Sequence, residues 1–181
     1  MVSAAGRLLR RQGYAATGWR QVVREAEAPW GSQSHHFPRG KEQLAAEALA
    51  RAGARYRDLL AGALDGVHPA DMVVGWSELA AAQLSQSGWA DGCPVATVTL
   101  EQAHESEVLA DACHTALGSW VDTIAAAIEA RGMTADRSRS LAMLVVAGIE
   151  GGLLLARAAR DPEPLLRTGA ELSSVLRSRV P

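Results

Sequence analysis

The stretch from Leu141 to Ala156 limits the possible folds of this chain more than any other feature. Almost every position in it is apolar, and only Glu150 carries a charge. The run is too long for a strand and lacks the alternation of a half-buried one. A helix that is apolar on all faces must be buried on all sides. In a chain of 181 residues, we therefore expect a helix over 135–160 that lies between its own domain and a second subunit.

Helical patterns cover the rest of the sequence as well. Apolar residues recur every three or four positions, Ala is abundant, and β-branched residues are few outside 95–99 and 145–149. Gly and Pro separate the patterns, with Gly13 ending the first helix and Pro29 opening the third. The other predicted helices are 18–26 after a Thr17 N-cap, 41–64, 70–86, 94–103, 105–130, 135–160 after Thr134, and one after Pro162. The sequence therefore predicts an all-α fold.

Charge is distributed unevenly along the chain. The net charge is −2, but residues 1–50 carry seven basic and four acidic side chains, whereas the remainder carries eleven basic and sixteen acidic ones. A basic head on an acidic body favours an anionic partner at the head.

No secretion signal pattern is present, and Gly or charged residues interrupt every long apolar run. We expect a cytoplasmic protein with no membrane contact. Its two Cys residues cannot build a disulfide scaffold.

Three short helices followed by a long one are typical of helix-turn-helix DNA binding. The motif joins two short helices by a tight turn, and its second helix enters the major groove. Here the pair would be 18–26 and 29–36, with Glu27 and Ala28 as the turn. Many helical proteins contain short helices, so this pattern alone is a weak signal.

Specific motifs strengthen that interpretation. In the head they are Gly13-Tyr14-Ala15-Ala16-Thr17, Val22-Val23-Arg24-Glu25-Ala26, Gly31-Ser32 and His35-His36-Phe37-Pro38-Arg39-Gly40-Lys41-Glu42-Gln43-Leu44. In the body they are Gly92-Cys93-Pro94, Trp120, and the run containing Glu150, Gly151, Ala156 and Arg157. The sequence resembles the TetR family, and its LmrA/YxaF-like branch in particular, over nearly the whole chain.

The resemblance implies a homodimeric transcriptional regulator, usually a repressor. Such a regulator binds a palindromic double-stranded DNA operator and is released from it by a small-molecule inducer. It also implies two domains, a helix-turn-helix DNA-binding domain over 1–46 and a larger ligand-binding and dimerisation domain over 47–181. No cofactor and no enzymatic activity are expected.

Ten residues are candidates for DNA contact. They are Thr17, Trp19, Arg20, Trp30, Gly31, Ser32, Gln33, Ser34, His35 and Lys41. The resemblance assigns phosphate contacts to Thr17 and Lys41, although a helix cap and a solvated first-turn residue are the respective alternatives. By chemistry Gln33 is the best base reader, since its amide can pair with adenine. We expect His36 to pack in the head. The family commonly has Tyr at the position of Ser34, and residues 25–38 contain no Lys or Arg.

The body contains two further sets of candidates. The ligand-binding set combines apolar and polar side chains, as small-molecule sites do: Met72, Trp76, Thr97, Glu101, His104, Trp120, Met143 and Glu150. The dimer-interface set contains small and apolar residues: Gly148, Gly151, Gly152, Leu155, Leu172 and Val175. Packing within one chain is the alternative for the glycines. Glu150 either meets a ligand or pairs with an Arg such as Arg157 across the dimer.

Two other functions compete with the regulator. The first is a helical ligand-binding protein whose degenerate head no longer binds DNA specifically. It is favoured by the absence of basic residues in the recognition helix. The second is a small enzyme, but we find no catalytic triad, metal-ligand set or phosphate-binding loop. His35 and His36 are adjacent and lack a third ligand nearby, and Cys113 lies on an apolar stripe beside His114.

Overall fold

The computed structural model describes all residues from Met1 to Pro181 and contains nine helices and no strand. This confirms the predicted all-α fold. The helices are α1 (Val2–Gln12), α2 (Trp19–Glu25), α3 (Ser32–His36), α4 (Gly40–Leu64), α5 (Pro69–Gln86), α6 (Pro94–Gln102), α7 (Glu107–Glu129), α8 (Ala135–Ala159) and α9 (Glu163–Arg179).

Most predicted helix ends agree with the structure to within two residues. Gly13 follows α1 at φ 77, a left-handed value that favours glycine. Thr134 caps α8 as predicted, since its hydroxyl accepts the Arg137 N–H at 3.4 Å. The largest error is at α3, which begins at Ser32 and not at Pro29. There the Ser32 N–H donates to the Pro29 carbonyl and closes a turn before the helix.

The helices form two compact units. The first, called the head unit below, contains residues 1–55 and 93–117, and the second, the body unit, contains 56–92 and 118–181. Both α4 and α7 therefore divide between the units. The functional division into 1–46 and 47–181 stays a prediction, because compactness does not test it. The spatial unit around the helix-turn-helix additionally includes α6 and the first half of α7.

In the head unit, α1 packs against both α2 and α6. Leu9, Val22 and Leu44 are almost fully buried there, as is Val98 on α6. Helices α4 and α7 approach closely where Gly53 faces Ala116. A Cβ at position 53 would lie 2.6 Å from the Ala116 Cβ, so only glycine fits that crossing without a shift.

In the body unit, α9 packs against α5 and α8. Small residues bring these helices together. A Cβ at Gly169 would lie 2.2 Å from the Ser77 hydroxyl of α5, and one at Gly148 would lie 2.8 Å from a Leu172 methyl. Leu165 of α9 and Ile149 of α8 are buried in the core of this unit.

Helix α8 is buried on one face only within this chain. Its residues Leu141, Val145 and Ile149 are buried, whereas Met143 and Leu154 are 55% and 62% exposed. By length and composition alone α8 could cross a membrane, which the sequence analysis had excluded for every stretch. In the structure it packs against α5 and α9. An apolar face therefore remains open along α8.

The crossing of α4 and α7 gives a stability test. We expect Gly53→Ala to lower the free energy of unfolding by about 1–3 kcal/mol, because overpacking a tight contact forces shifts. Gly62→Ala is the matched control, since a Cβ there meets nothing within 4 Å and the same helix gains an Ala. That change should raise the free energy of unfolding by up to ~1 kcal/mol. Urea unfolding of both variants measures the difference, and equal effects would contradict a close crossing.

Candidate nucleic-acid interface and ligand groove

Helices α2 and α3 form the predicted helix-turn-helix. The turn between them contains Glu27, at the left-handed φ of 49, as the sequence analysis placed it. Val22, on the inner face of α2, is buried. Phe37, directly after α3, is buried as well, and its ring centroid lies 6.0 Å from that of Trp19. Since α3 itself has no buried residue, this anchor leaves Ser34, His35 and His36 exposed.

The outer surface of α3 is polar and aromatic. Trp30, just before it, is 57% exposed, and Ser34 and His35 are exposed too. The Ser34 hydroxyl donates to the Gly31 carbonyl at 3.1 Å. The prediction that His36 packs in the head is wrong, because its side chain is exposed and only Phe37 reaches the core.

Three candidate residues here have internal roles. The amide oxygen of Gln33 is buried and accepts no hydrogen bond, so two-point pairing with adenine requires this side chain to turn outward. The Ser32 hydroxyl donates to the Pro29 carbonyl at 2.6 Å. Trp19 is half-buried against Phe37, whereas Arg20 beside it is exposed.

The predicted role of Thr17 as the N-cap of α2 is wrong. Helix α2 begins one residue later than expected, so Gly18 occupies the cap position without a side-chain cap. Thr17 is buried, and its hydroxyl donates to the Gly13 carbonyl at 2.6 Å. The hydroxyl therefore ties the start of α2 to the end of α1.

Lys41 lies in the first turn of α4, with its ammonium over an aromatic ring. The Nζ atom is 4.0 Å from the centre of the Tyr14 ring, a cation–π arrangement. Burial lowers the pKa of Lys41, and the Glu101 carboxylate partly opposes this shift. Burial, reinforced by the carboxylate of Glu42, raises the pKa of Tyr14.

Glu101 was predicted to bind a ligand, but it binds the backbone of the head. Its Oε2 accepts the N–H of Tyr14 at 2.6 Å and that of Ala15 at 3.1 Å. Its Oε1 lies 1.9 Å from where a Cβ at Gly13 would stand. The carboxylate is thus occupied within the turn that joins α1 to α2.

Two neighbours of Glu101 in the ligand-binding set are corrected in the same way. The Thr97 hydroxyl donates to the Cys93 carbonyl at 2.9 Å, at the start of α6. His104 is exposed, and its ring lies 3.4 Å from the carboxylate of Glu105. All of these residues belong to the head unit, whereas the groove described next belongs to the body unit.

A groove of about 260 Å³ lies between α4 and α5 in the body unit. Its lining residues are Tyr56, Leu59, Leu60, Ala63, Val67, Asp71, Met72, Gly75, Trp76 and Leu79. Sequence reasoning had selected only Met72 and Trp76. The remaining residues repeat every three or four positions along the two helices, a signal that was visible in the sequence. Asp71, the sole charged residue of the lining, pairs with Arg177 of α9.

The other predicted ligand residues lie elsewhere. Trp120 is 1% exposed, with its ring centroid 5.4 Å from that of Tyr56, so it supports the groove wall from within the core. Met143 and Glu150 are on α8 and do not line the groove. The structure thus brings together two of the eight candidates and separates the rest.

Some residues of the predicted dimer-interface set pack within the chain, and others are exposed. Gly148 faces Leu172, and Gly152 faces Leu165, all within one chain. These contacts fit the alternative of packing between α8 and α9. A Cβ at Gly151 would meet nothing within 4 Å, and Leu155 is 57% exposed. With half-buried Val175, these two remain available to a second copy.

Comparison with known proteins places the chain among bacterial regulators. Residues 1–48 match the family "Bacterial regulatory proteins, tetR family", and residues 69–171 match "Transcriptional regulator LmrA/YxaF-like, C-terminal domain". The HTH-type transcriptional regulator LmrA of Bacillus subtilis is 34% identical, covering 98% of this chain and 95% of the relative. The regulator YxaF of the same organism is 32% identical, covering 99% and 94%. The solved regulatory protein TetR from Rhodobacter sphaeroides shares the fold, with a TM-score of 0.83 at 23% identity over 96% and 95% of the two chains.

The buried hydroxyl of Thr17 gives a second test. Thr17→Val removes the donor to the Gly13 carbonyl, so we expect the free energy of unfolding to fall by about 1–3 kcal/mol. Thr17→Ser keeps the hydroxyl, so its free energy of unfolding should fall by less than that of Thr17→Val. Denaturant unfolding measures both variants. If Thr17→Val left stability intact but changed the salt dependence of DNA binding, a direct phosphate contact would replace this structural role.

Proposed function

Because this chain belongs to the TetR family of transcriptional regulators, we propose that it is a homodimeric repressor that binds a palindromic operator and is released by a small molecule. Its relatives are regulators, so the chain is a regulator with a helix-turn-helix domain and not an enzyme. The proposal depends on one observation about α3. This helix has no buried residue, and Phe37, which follows it, is buried and holds it against the head unit. Its test is the DNA-binding experiment below.

Cations flank α3 although none lies within it. Arg20 and Arg24 on α2 and Arg39 before α4 are exposed, and Lys41, two residues after Arg39, is half-buried. Phosphate contacts position a protein on DNA, and base contacts specify the sequence. We assign the phosphate contacts to these four residues. The base contacts fall to exposed side chains around α3, chiefly Trp30 and His35.

The α4–α5 groove supplies the inducer site in this proposal. Its walls are aliphatic and aromatic, and its single carboxylate, Asp71, is neutralised by Arg177. A cationic ligand would compete with Arg177 for this carboxylate, whereas an apolar one would not. The groove therefore favours a small, uncharged, mainly apolar compound.

A second copy of the chain would cover the open face of α8. Met143, Leu144, Leu154 and Leu155 are each about half exposed or more, and Gly151 permits a close helix approach between them. Contiguous apolar surface of this kind marks association sites in soluble proteins. An isologous dimer would pair this face with itself and present two heads to a palindrome.

One set of observations favours a second candidate, a ligand-binding protein whose head no longer binds DNA specifically. The recognition segment contains no Lys or Arg, and the Gln33 amide oxygen is turned inward. The Ser34 hydroxyl is likewise occupied by the Gly31 carbonyl. The α4–α5 groove would then be the functional site by itself.

Binding to tiled fragments of the protein's own upstream DNA, at two salt concentrations, distinguishes these candidates. We expect protection of one palindrome whose half-sites are separated by about one helical turn or a multiple of it. Lys41→Ala should weaken binding uniformly and reduce the salt slope by about 1, because one phosphate contact is lost.

Arg57→Ala is the matched control, since Arg57 is an exposed α4 cation of the body unit that pairs with Asp58. It should leave the salt slope unchanged. Absence of site-specific protection by the unmodified protein at low salt would favour the second candidate. Protection of a single half-site would contradict the dimer.

Filling the groove tests the inducer site. Gly75 lines it, and a Cβ there meets nothing within 4 Å, so Gly75→Leu should occupy the groove without straining the helix. We expect binding of the neutral fluorophore N-phenyl-1-naphthylamine to weaken by about tenfold or more, since the apolar contacts are lost. Gly62→Leu, on the same unit but outside the groove, is the control. Equal binding by both variants would place the fluorophore elsewhere.

A further inference from the structure

We propose that Glu101 of α6 is a positioning residue for DNA binding, because it holds the α1–α2 turn on which the operator-binding lysine rests. The inference rests on the proposed function, since it concerns how Lys41 meets the phosphate backbone. Glu101 itself makes no contact with DNA in this proposal.

The first step is the pair of hydrogen bonds from the turn to the carboxylate. The N–H groups of Tyr14 and Ala15 follow the end of α1 and donate to the same Oε2 atom. Hydrogen bonds to an ionised acceptor are roughly twice as strong as neutral ones. Gly13 leaves room for the other carboxylate oxygen, because a Cβ there would overlap it. The carboxylate therefore determines where residue 14 stands.

The second step runs from the Tyr14 backbone to the lysine. The Tyr14 ring lies under the Lys41 ammonium at 4.0 Å and restricts where this long side chain can go. The Glu101 carboxylate also favours the charged form of Lys41, as its opposing effect on the lysine pKa indicates. Fixing Tyr14 thus holds a charged ammonium in one place before DNA arrives. A held side chain loses less conformational entropy on binding.

A second hydrogen bond beside Lys41 supports the same arrangement. The Ser106 hydroxyl, just before α7, donates to the carboxylate of Glu42 at 2.6 Å. Residues on both sides of the α6–α7 turn thus hold the DNA-binding segments, Glu101 through the α1–α2 turn and Ser106 through the first turn of α4. These segments come from distant parts of the chain but lie in one compact unit.

The sign of a charge-removal effect distinguishes positioning from simple electrostatics. A carboxylate near the head repels phosphates, so its removal would strengthen DNA binding if repulsion were its only effect. If Glu101 positions Lys41, its removal weakens binding. Glu105→Gln is the matched control, because Glu105 is an exposed carboxylate four residues away that pairs only with His104. That variant should bind DNA at least as tightly as the unmodified protein.

The DNA experiment is a double-mutant cycle on the protected fragment. We expect Glu101→Ala to weaken binding by about tenfold and to reduce the salt slope toward that of Lys41→Ala. In the Lys41→Ala background the same change should have little further effect, since coupled residues are not additive. Glu101→Gln retains an acceptor oxygen for both N–H groups and should recover most of the affinity.

A second measurement needs no DNA. Lys41 is the only lysine in the sequence, so labelling lysine with carbon-13 at Cε gives a single side-chain NMR signal. The Tyr14 ring current should displace this signal from its usual position. Glu101→Ala should move it toward the value of a solvated lysine, whereas Glu101→Gln should keep the displacement. Circular dichroism of each variant verifies that the helices persist.

The outcomes separate the two proposals. Weaker, non-additive DNA binding together with a moved lysine signal supports positioning by Glu101. Tighter binding by Glu101→Ala, additive effects, or an unmoved lysine signal overturns it. If the unmodified protein protects no DNA, the proposed function fails and this inference fails with it. The lysine signal would still report whether the contact cluster exists.

Discussion

Close approach of helix backbones is the constraint on which both units of this protein depend. The chain has few aromatic residues, so its cores are filled by Leu, Val, Ile and Ala between helices that come near one another. Gly53 permits the crossing of α4 and α7, and Gly169 permits that of α9 and α5. Closely packed protein interiors have low compressibility, so a displacement of one helix is transmitted to its neighbours. Functional side chains on such helices are therefore held in defined positions.

This packing explains how a weakly basic head can be organised for DNA. Helix α3 has no buried residue of its own, so its placement depends on Phe37 and on the turn containing Glu27. In the proposed complex, the cations that reach phosphate lie on α2 and around the start of α4, and not on α3. Binding would then rely on how precisely α2 and the start of α4 are oriented. Hydrogen bonds at the α1–α2 turn supply that orientation.

The sequence predicted the helices well because their signals are local. Gly13 ends α1, the Phe37–Gly40 turn precedes α4, and Thr134 caps α8, each within a few residues of the feature that it controls. Motifs in the head and body were sufficient for the family. The start of α3 was placed too early because Pro is favoured both in a first helical turn and in the turn before it.

Roles that depend on distant contacts could not be predicted. Glu101 bonds to Tyr14 across 87 positions of sequence, and nothing in its local pattern identifies that partner. A carboxylate among apolar residues indicates only that a partner is needed. Gln33 fits adenine by its chemistry, but the orientation of its amide depends on the tertiary packing of α3. Apart from Met72 and Trp76, the residues of the α4–α5 groove were missed for a different reason, since their spacing was used only to predict the helices.

The two-segment construction of the head unit has a consequence for recombination between regulators. A graft that transplants residues 1–48 alone would leave behind α6, and with it the acceptor for the Tyr14 and Ala15 amides. The recipient protein would have to supply a carboxylate in the position of the Glu101 side chain, next to Gly13. The compact unit around the helix-turn-helix is therefore a discontinuous cassette, residues 1–55 together with 93–117. Chimaeras joined at one point would inherit the α1–α2 turn without the carboxylate that accepts its amides.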